Sequence, residues 1–100
     1  MTNFFAFTME HVRLTVLRVL ADQPSYRAND SVLAQAVDAM GLPCTRDQLR
    51  AQLAWLEEQG LARLEHPTPT LTVAIATERG GDVAHGRAIV PGVQRPSPGV

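Results

Sequence analysis

The stretch that decides the fold spans residues 45–61 and reads TRDQLRAQLAWLEEQGL. Its first residues form a capping box, because the Thr45 hydroxyl can accept from the backbone N–H of Gln48 while the Gln48 side chain accepts from that of Thr45. An apolar stripe follows at helical spacing, made of Leu49, Leu53 and Leu56. Gly60 supplies the left-handed residue that ends many helices. These signals predict a helix that begins at Thr45 and ends at Gly60.

Two further helical patterns precede this one. The first is predicted from Thr8 as N-cap to a stop at Pro24, and its apolar stripe is Val12, Val16, Val19 and Leu20. The second is capped by Asn29 or Asp30 and ended by Gly41. Its buried side is Val32 or Leu33 together with Ala36, Val37 and Met40. The linker at 41–44 has the length of the turn in a helix-turn-helix.

After Gly60 the apolar period shortens to about two. One short strand contains Leu61 and Leu64, and a second alternates from Leu71 to Ile75. The sequence HPTP at 66–69 lies between them and suits a hairpin tip, because proline cannot donate to a strand ladder. Thr77 caps a last short helical segment.

This order of elements predicts a mainly α fold with a small β-hairpin. We expect a winged helix-turn-helix domain over 1–90, with a three-helix core, a two-stranded wing and a short C-terminal helix. Residues 1–7 form an apolar N-terminal segment of that domain. Residues 91–100 are rich in proline and glycine, so we expect an extended or disordered tail there.

Short motifs along almost the whole chain resemble those of a family of small winged-helix proteins of Mu-like prophages, often labelled ArsR-like regulators. They are YRAN at 26–29, RDQ at 46–48, AWL at 54–56, TERG at 77–80, VPGV at 90–93 and RP at 95–96. The resemblance implies a phage-encoded, cytoplasmic protein. The regulator label rests on fold similarity alone. The paired cysteines of metal-sensing ArsR proteins are missing here, since Cys44 is the chain's one cysteine.

Double-stranded DNA is the partner that a winged helix suggests. The N-terminal half of the third helix would enter the major groove, where arginine can bind guanine and glutamine can bind adenine. The residues expected to contact DNA are Thr45, Arg46, Gln48 and Arg50, with Arg27 on a phosphate. The prediction is a transcription-regulator-like DNA-binding protein with residues 45–59 as its recognition helix.

Charge supports an alternative to DNA binding. The net charge is −1 and the predicted wing tip carries no cation, whereas phosphate-binding domains are usually basic. Arg46, Asp47 and Arg50 would then be a solvated surface, with Asp47 and Arg50 as a weak pair. The domain would act as a protein-interaction module in phage assembly or DNA packaging.

A homodimer is also predicted, because the apolar residues near the N-terminus exceed what a three-helix core of this size covers. The expected interface is Phe4, Phe5, Phe7, Leu14 and Leu17. The alternative is that the aromatic segment folds back on its own domain as a strand or clasp.

Other function classes find little support in the sequence. No paired carboxylates, nucleophile triad or phosphate loop indicates an enzyme, and no cofactor is implied. The histidines at 11, 66 and 85 fall on three elements without ligand spacing, so we expect no metal site. Cys44 is interpreted as a small half-buried apolar residue. No signal peptide or membrane span is recognised, which predicts a cytoplasmic protein with no membrane partner.

Overall fold

The computed structural model describes residues 3–97. The first two residues of the predicted N-terminal segment and positions 98–100 of the predicted tail lie outside the described residues. The described chain is mixed α/β, with four α-helices, a short 3-10 turn and three strands, an arrangement compatible with a winged helix. The helices are α1 (Phe4–Asp22), α2 (Asp30–Ala39), α3 (Arg46–Glu58) and α4 (Glu78–Ala84). The strands are β1 (Arg27–Asn29), β2 (Ala62–Thr68) and β3 (Leu71–Ala76).

The first helix begins five residues earlier than the sequence predicted. Its N-cap is Asn3, whose Oδ1 accepts from Ala6 N at 3.1 Å. The predicted cap, Thr8, lies inside the helix and donates its hydroxyl to the Phe4 carbonyl at 2.8 Å. The apolar segment around Phe4 and Phe7 is therefore helical and does not fold back as a strand.

Three of the four helices begin at side-chain caps that the sequence indicated. Asn29 caps α2, Thr45 opens α3 with both halves of the capping box, and Thr77 caps α4. Helix α3 ends where Leu61 N donates to Leu56 O and Gly60 N donates to Glu57 O, the paired hydrogen bonds of a glycine-closed helix end.

The sheet has three antiparallel strands in the order β1-β3-β2, whereas the sequence predicted only the hairpin. The added strand, β1, lies in a segment predicted to be a loop, and it pairs Ala28 with Ala74. Strand β2 also runs further than expected, through His66 and Pro67 to Thr68. Pairing on both sides explains why the central strand β3 is buried over Thr72 to Ile75.

The core lies between α1, α2, α3 and one face of the sheet. Fully buried side chains include Val12, Val16, Leu17, Leu20, Leu33, Leu53 and Leu56. Of the alternatives Val32 and Leu33 predicted for the buried side of α2, Leu33 is the buried one. Met40, also predicted on that side, is exposed. The apolar side chains that helix α2 buries are those of Leu33 and Val37.

Residues 91–97 were expected to be part of a free tail, but they pack against the domain. They form no helix or strand. Val93 is buried in the core cluster, and Gln94 N donates to Glu10 O at 3.2 Å. The Arg13 guanidinium donates to the Gly92 carbonyl at 2.7 Å and lies 4.1 Å from the ring of Trp55. These contacts fasten the segment to α1 and α3.

Candidate functional site

The first turn of α3 holds two of the side chains predicted to contact DNA. Gln48 N donates to Thr45 Oγ1 at 3.1 Å, and Thr45 N donates to Gln48 Oε1 at 2.9 Å. Both side chains are therefore used to satisfy backbone groups of the helix end. Contact with a base edge would require either one to leave the cap.

Both predicted arginines of α3 converge on a carboxylate that the sequence analysis treated only as a cap. Asp30 is fully buried at the start of α2. Its Oδ1 accepts from Arg46 Nη2 at 3.4 Å, and its Oδ2 accepts from Arg50 Nε at 3.0 Å. The arginines extend the cluster, with Arg46 donating to Ser31 Oγ at 2.8 Å and Arg50 to the Thr70 carbonyl at 2.7 Å. We call these three charged residues, Asp30, Arg46 and Arg50, the Asp30 cluster.

Opposing effects set the pKa of Asp30. Burial alone would raise the pKa, because it penalises the charged carboxylate. The hydrogen bond from Arg50, the charges of both arginines and a backbone hydrogen bond from Thr72 outweigh burial and lower the pKa below its usual value. Asp30 is thus ionised at neutral pH, and it links α2, α3 and the β2–β3 turn.

The remaining predicted DNA contact, Arg27, is also paired within the chain. Its Nη2 donates to Glu65 Oε1 at 2.8 Å, from β1 to β2 across the sheet. Both side chains are about half exposed, so the pair is a solvent-screened one. The structure therefore brings Arg46 and Arg50 together at the Asp30 cluster and places Arg27 in a separate pair.

Of the surface residues predicted for α3, Asp47 lies on its outward face, whereas Arg46 and Arg50 are turned toward Asp30. The buried stripe is Leu49, Gln52, Leu53 and Leu56. The side directly opposite at helical spacing carries Asp47, Ala51, Ala54 and Glu58, all exposed. We call these four residues the α3 outer face. It carries two carboxylates and no cation, because Arg46 and Arg50 lie on its flank toward α2.

The predicted dimer residues divide into two groups. Phe4, Phe5 and Phe7 are exposed by 75%, 54% and 49%. Leu14 and Leu17 are buried within the core of their own chain, which corrects their assignment to a dimer interface. The sequence misled at these two positions because α1 packs against both α2 and α4, so its apolar surface is wider than one stripe.

A groove of about 510 Å³ begins at His11, whose ring contacts that of Phe7. Its floor is the second half of α1, including His11, Thr15 and Arg18. One wall is the end of α2 at Ala36, Ala39 and Met40, and the other is the C-terminal segment at Gln94, Arg95 and Ser97.

Metal and thiol chemistry find no built site within residues 3–97. No group of three or more metal-binding side chains occurs in that range. Burial raises the pKa of the Cys44 thiol. This is the opposite of the lowering that a nearby helix N-terminus could cause. No helix in the described range is long and apolar enough to cross a membrane.

The sequence of the chain is similar to those of two known proteins. The chain is 45% identical over 89 residues to a protein of Escherichia phage Mu described as uncharacterized protein gp26, covering 89% of this chain and 91% of that one. It is 43% identical over 77 residues to an uncharacterized protein of Haemophilus influenzae strain Rd, covering 77% and 74%. No family model and no solved structure matches the chain.

Proposed function

We propose that this chain, which belongs to the family of the phage Mu protein gp26, is a phage-encoded winged-helix module. We propose further that it binds another protein through the α3 outer face. The order of α2, a short turn, α3 and a β-hairpin supports the winged helix. The charge and side-chain size of the α3 outer face support a protein partner.

The observation that carries the proposal is the composition of the α3 outer face. In a winged helix this is the surface that would enter a DNA groove. Here Asp47 and Glu58 stand at its ends, with Ala51 and Ala54 between them. Affinity for DNA comes largely from cationic side chains that neutralise phosphates. The carboxylates of Asp47 and Glu58 would instead repel the phosphates.

The same composition suits a protein surface. The side chains of Ala51 and Ala54 are small, so a partner helix can approach the backbone of α3 closely. Complementary charge at the edges of an interface sets orientation and speeds association. A partner with basic residues spaced to meet Asp47 and Glu58 therefore fits the α3 outer face.

Photo-crosslinking tests this assignment in cells that produce phage. A benzoylphenylalanine placed at Ala51 or Ala54 is expected to form an adduct with one polypeptide, and the same residue at Arg79 on α4 serves as the matched control. Charge reversal by Asp47→Lys/Glu58→Lys should weaken the adduct, whereas Asp38→Lys on α2 should not. If nuclease digests the partner crosslinked at Ala51 and protease does not, that partner is DNA, and the proposal is overturned.

A DNA-binding, regulator-like role is the second candidate, and one specific observation favours it. The Asp30 cluster holds Arg46 and Arg50 in fixed orientations beside the start of α3. Within residues 3–97, Nη1 of each guanidinium donates no hydrogen bond, so each could donate to a base or phosphate.

An electrophoretic mobility shift distinguishes the two candidates. DNA binding predicts a shift of phage DNA at low salt, where phosphate contacts are strongest. It also predicts loss of that shift in an Arg46→Ala/Arg50→Ala protein that urea unfolding shows to be still folded, since both arginines compensate the buried Asp30. Arg79→Ala on α4 is the control for nonspecific charge loss. A protein that shifts no fragment of the phage genome at low salt is not a DNA-binding protein.

A further inference from the structure

The solvent-accessible side of α1 forms one stripe, exposed at Phe4 and Phe7 and half-buried from His11 to Arg18. Its residues follow one another at intervals of three or four, which places them on a common face of the helix. They are Phe4, Phe7, His11, Thr15 and Arg18. The rings of Phe7 and His11 already contact each other edge to face, with centroids 4.7 Å apart.

The two halves of this stripe have opposite shapes. The N-terminal half projects the exposed rings of Phe4 and Phe7. The C-terminal half, at Thr15 and Arg18, is the floor of the 510 Å³ groove. A groove of this size lies within the range of clefts that accept apolar groups, about 300 to 1,000 Å³. One face thus carries both a protrusion and a cleft.

The protrusion and the cleft are placed symmetrically about His11. Phe7 precedes it by four residues and Thr15 follows by four, while Phe4 precedes it by seven and Arg18 follows by seven. A two-fold axis through His11 would therefore set each Phe7 against the other chain's Thr15 and each Phe4 against its Arg18. Such self-complementarity is what an isologous interface requires.

We propose that α1 pairs antiparallel with α1 of a second copy about a two-fold axis at His11, with the aromatic end of each helix in the groove of the other. Burial of Phe4 and Phe7 supplies the main attraction. The Arg18 guanidinium also lies where it can stack on the partner's Phe4 ring, a cation–π contact.

The area available is sufficient for a specific dimer. Phenylalanine presents roughly 200 Å², so exposures of 75% and 49% leave about 250 Å² on these two rings in each chain. The partner surface that covers these rings loses a similar area, because two surfaces in contact are buried together. Two equivalent halves then bury about 1,000 Å², which is near the lower limit for a specific interface and indicates a reversible dimer.

Sedimentation equilibrium tests the pairing on the full chain. The parent protein should pass from monomer to dimer as its concentration rises, whereas Phe4→Ser/Phe7→Ser should stay a monomer. Ile89→Ser removes an equally exposed apolar side chain elsewhere and should dimerise like the parent. Urea unfolding of each variant confirms that it is folded. A parent that stays monomeric, or a dimer that survives loss of both phenylalanines, overturns the proposal.

Disulfide crosslinking tests the position of the axis. In a Cys44→Ser background, His11→Cys should oxidise readily to a covalent dimer, because the axis brings the two copies of position 11 face to face. Thr15→Cys lies on the same stripe, but its two copies would be about 12 Å apart along the helices, too far for a disulfide. Equal crosslinking at both positions overturns the antiparallel arrangement.

These experiments do not depend on the proposed function. The dimer uses α1, whereas the proposed partner site uses the α3 outer face. A monomeric protein that still crosslinks at Ala51 would reject the dimer alone. A dimer without adducts at Ala51 or Ala54 would reject the proposed partner site alone.

Discussion

Asp30 is the residue on which the joint between α2, α3 and the sheet depends. A buried carboxylate is tolerated only when charges and hydrogen bonds compensate it, and here two arginines from α3 do so. Those arginines are in turn kept away from the α3 outer face. A single buried side chain therefore fixes the local fold and also decides which charges α3 presents.

Asp30→Asn is expected to lower the free energy of unfolding by about 2 kcal/mol at neutral pH, because it leaves Arg46 and Arg50 without their anion. Asp38→Asn, an exposed change on the same helix, should alter it by less than about 0.5 kcal/mol. Urea unfolding of the two variants and the parent measures both effects. Equal stability of the two variants would show that the Asp30 cluster contributes nothing.

The pH dependence of the parent follows from the same residue. The pKa of Asp30 is lower in the folded than in the unfolded state, so the unfolded chain takes up the proton first as pH falls. The stabilisation by Asp30 is complete above the unfolded pKa, about 4, and is lost as pH falls through the lower folded value. The stability difference between parent and Asp30→Asn should shrink over that acidic range in unfolding curves.

Cys44 gives a third prediction at this scale. Burial raises the pKa of its thiol, which leaves less of the reactive thiolate at neutral pH. Alkylation of the folded protein by iodoacetamide should be slower than that of the urea-unfolded chain and should accelerate as pH rises. Mass spectrometry over time measures both rates. A faster reaction in the folded state would indicate an activated thiol instead.

At the scale of elements, helix α4 contains two adjacent glycines with different roles. A Cβ on Gly80 would clash with the Leu61 carbonyl, so the close approach of α4 to that backbone requires glycine there. A Cβ on Gly81 would meet nothing within 4 Å. Of the two, only Gly81 therefore weakens the short helix without a packing reason.

The two alanine substitutions should therefore have opposite effects. Gly81→Ala is expected to raise the free energy of unfolding by about 0.5 to 1 kcal/mol, since alanine favours the helix and restricts the unfolded chain. Gly80→Ala should lower it by about 1 to 3 kcal/mol through overpacking. Thermal unfolding of the two single variants measures this, and a shift of the same sign in both would contradict the packing of α4 on Leu61.

At this scale, the sequence could predict a feature only when the residues that form it lie close together along the chain. The caps of Asn29, Thr45 and Thr77 act within three residues, so local sequence was enough to place the starts of α2, α3 and α4. Strand β1 has three residues, too few to show a period, and it exists because β3 pairs with it from more than forty residues away. The Asp30 cluster was missed for the same reason, since its arginines lie 16 and 20 residues further along the chain.

For the whole molecule, the segment after α4 is part of the fold. Gly92 has φ +98°, and a Cβ there would come within 2.7 Å of the Trp55 ring. The chain can therefore turn closely over Trp55, where Arg13 holds the Gly92 carbonyl. Proline and glycine content alone indicated a free tail, yet here glycine permits a close contact that local composition does not reveal.

Val93 provides the decisive test of this role. It is 6% exposed, whereas Ile89 only four residues earlier is 61% exposed. Val93→Ala should lower the free energy of unfolding by about 1 to 2 kcal/mol, because it removes buried methyl groups and leaves a cavity. Ile89→Ala should change it by less than about 0.5 kcal/mol, as measured by urea unfolding. If both variants matched the parent, residues 91–97 would contribute nothing to the fold, and the groove wall that they form beside α1 would lack the rigidity that the proposed dimer requires.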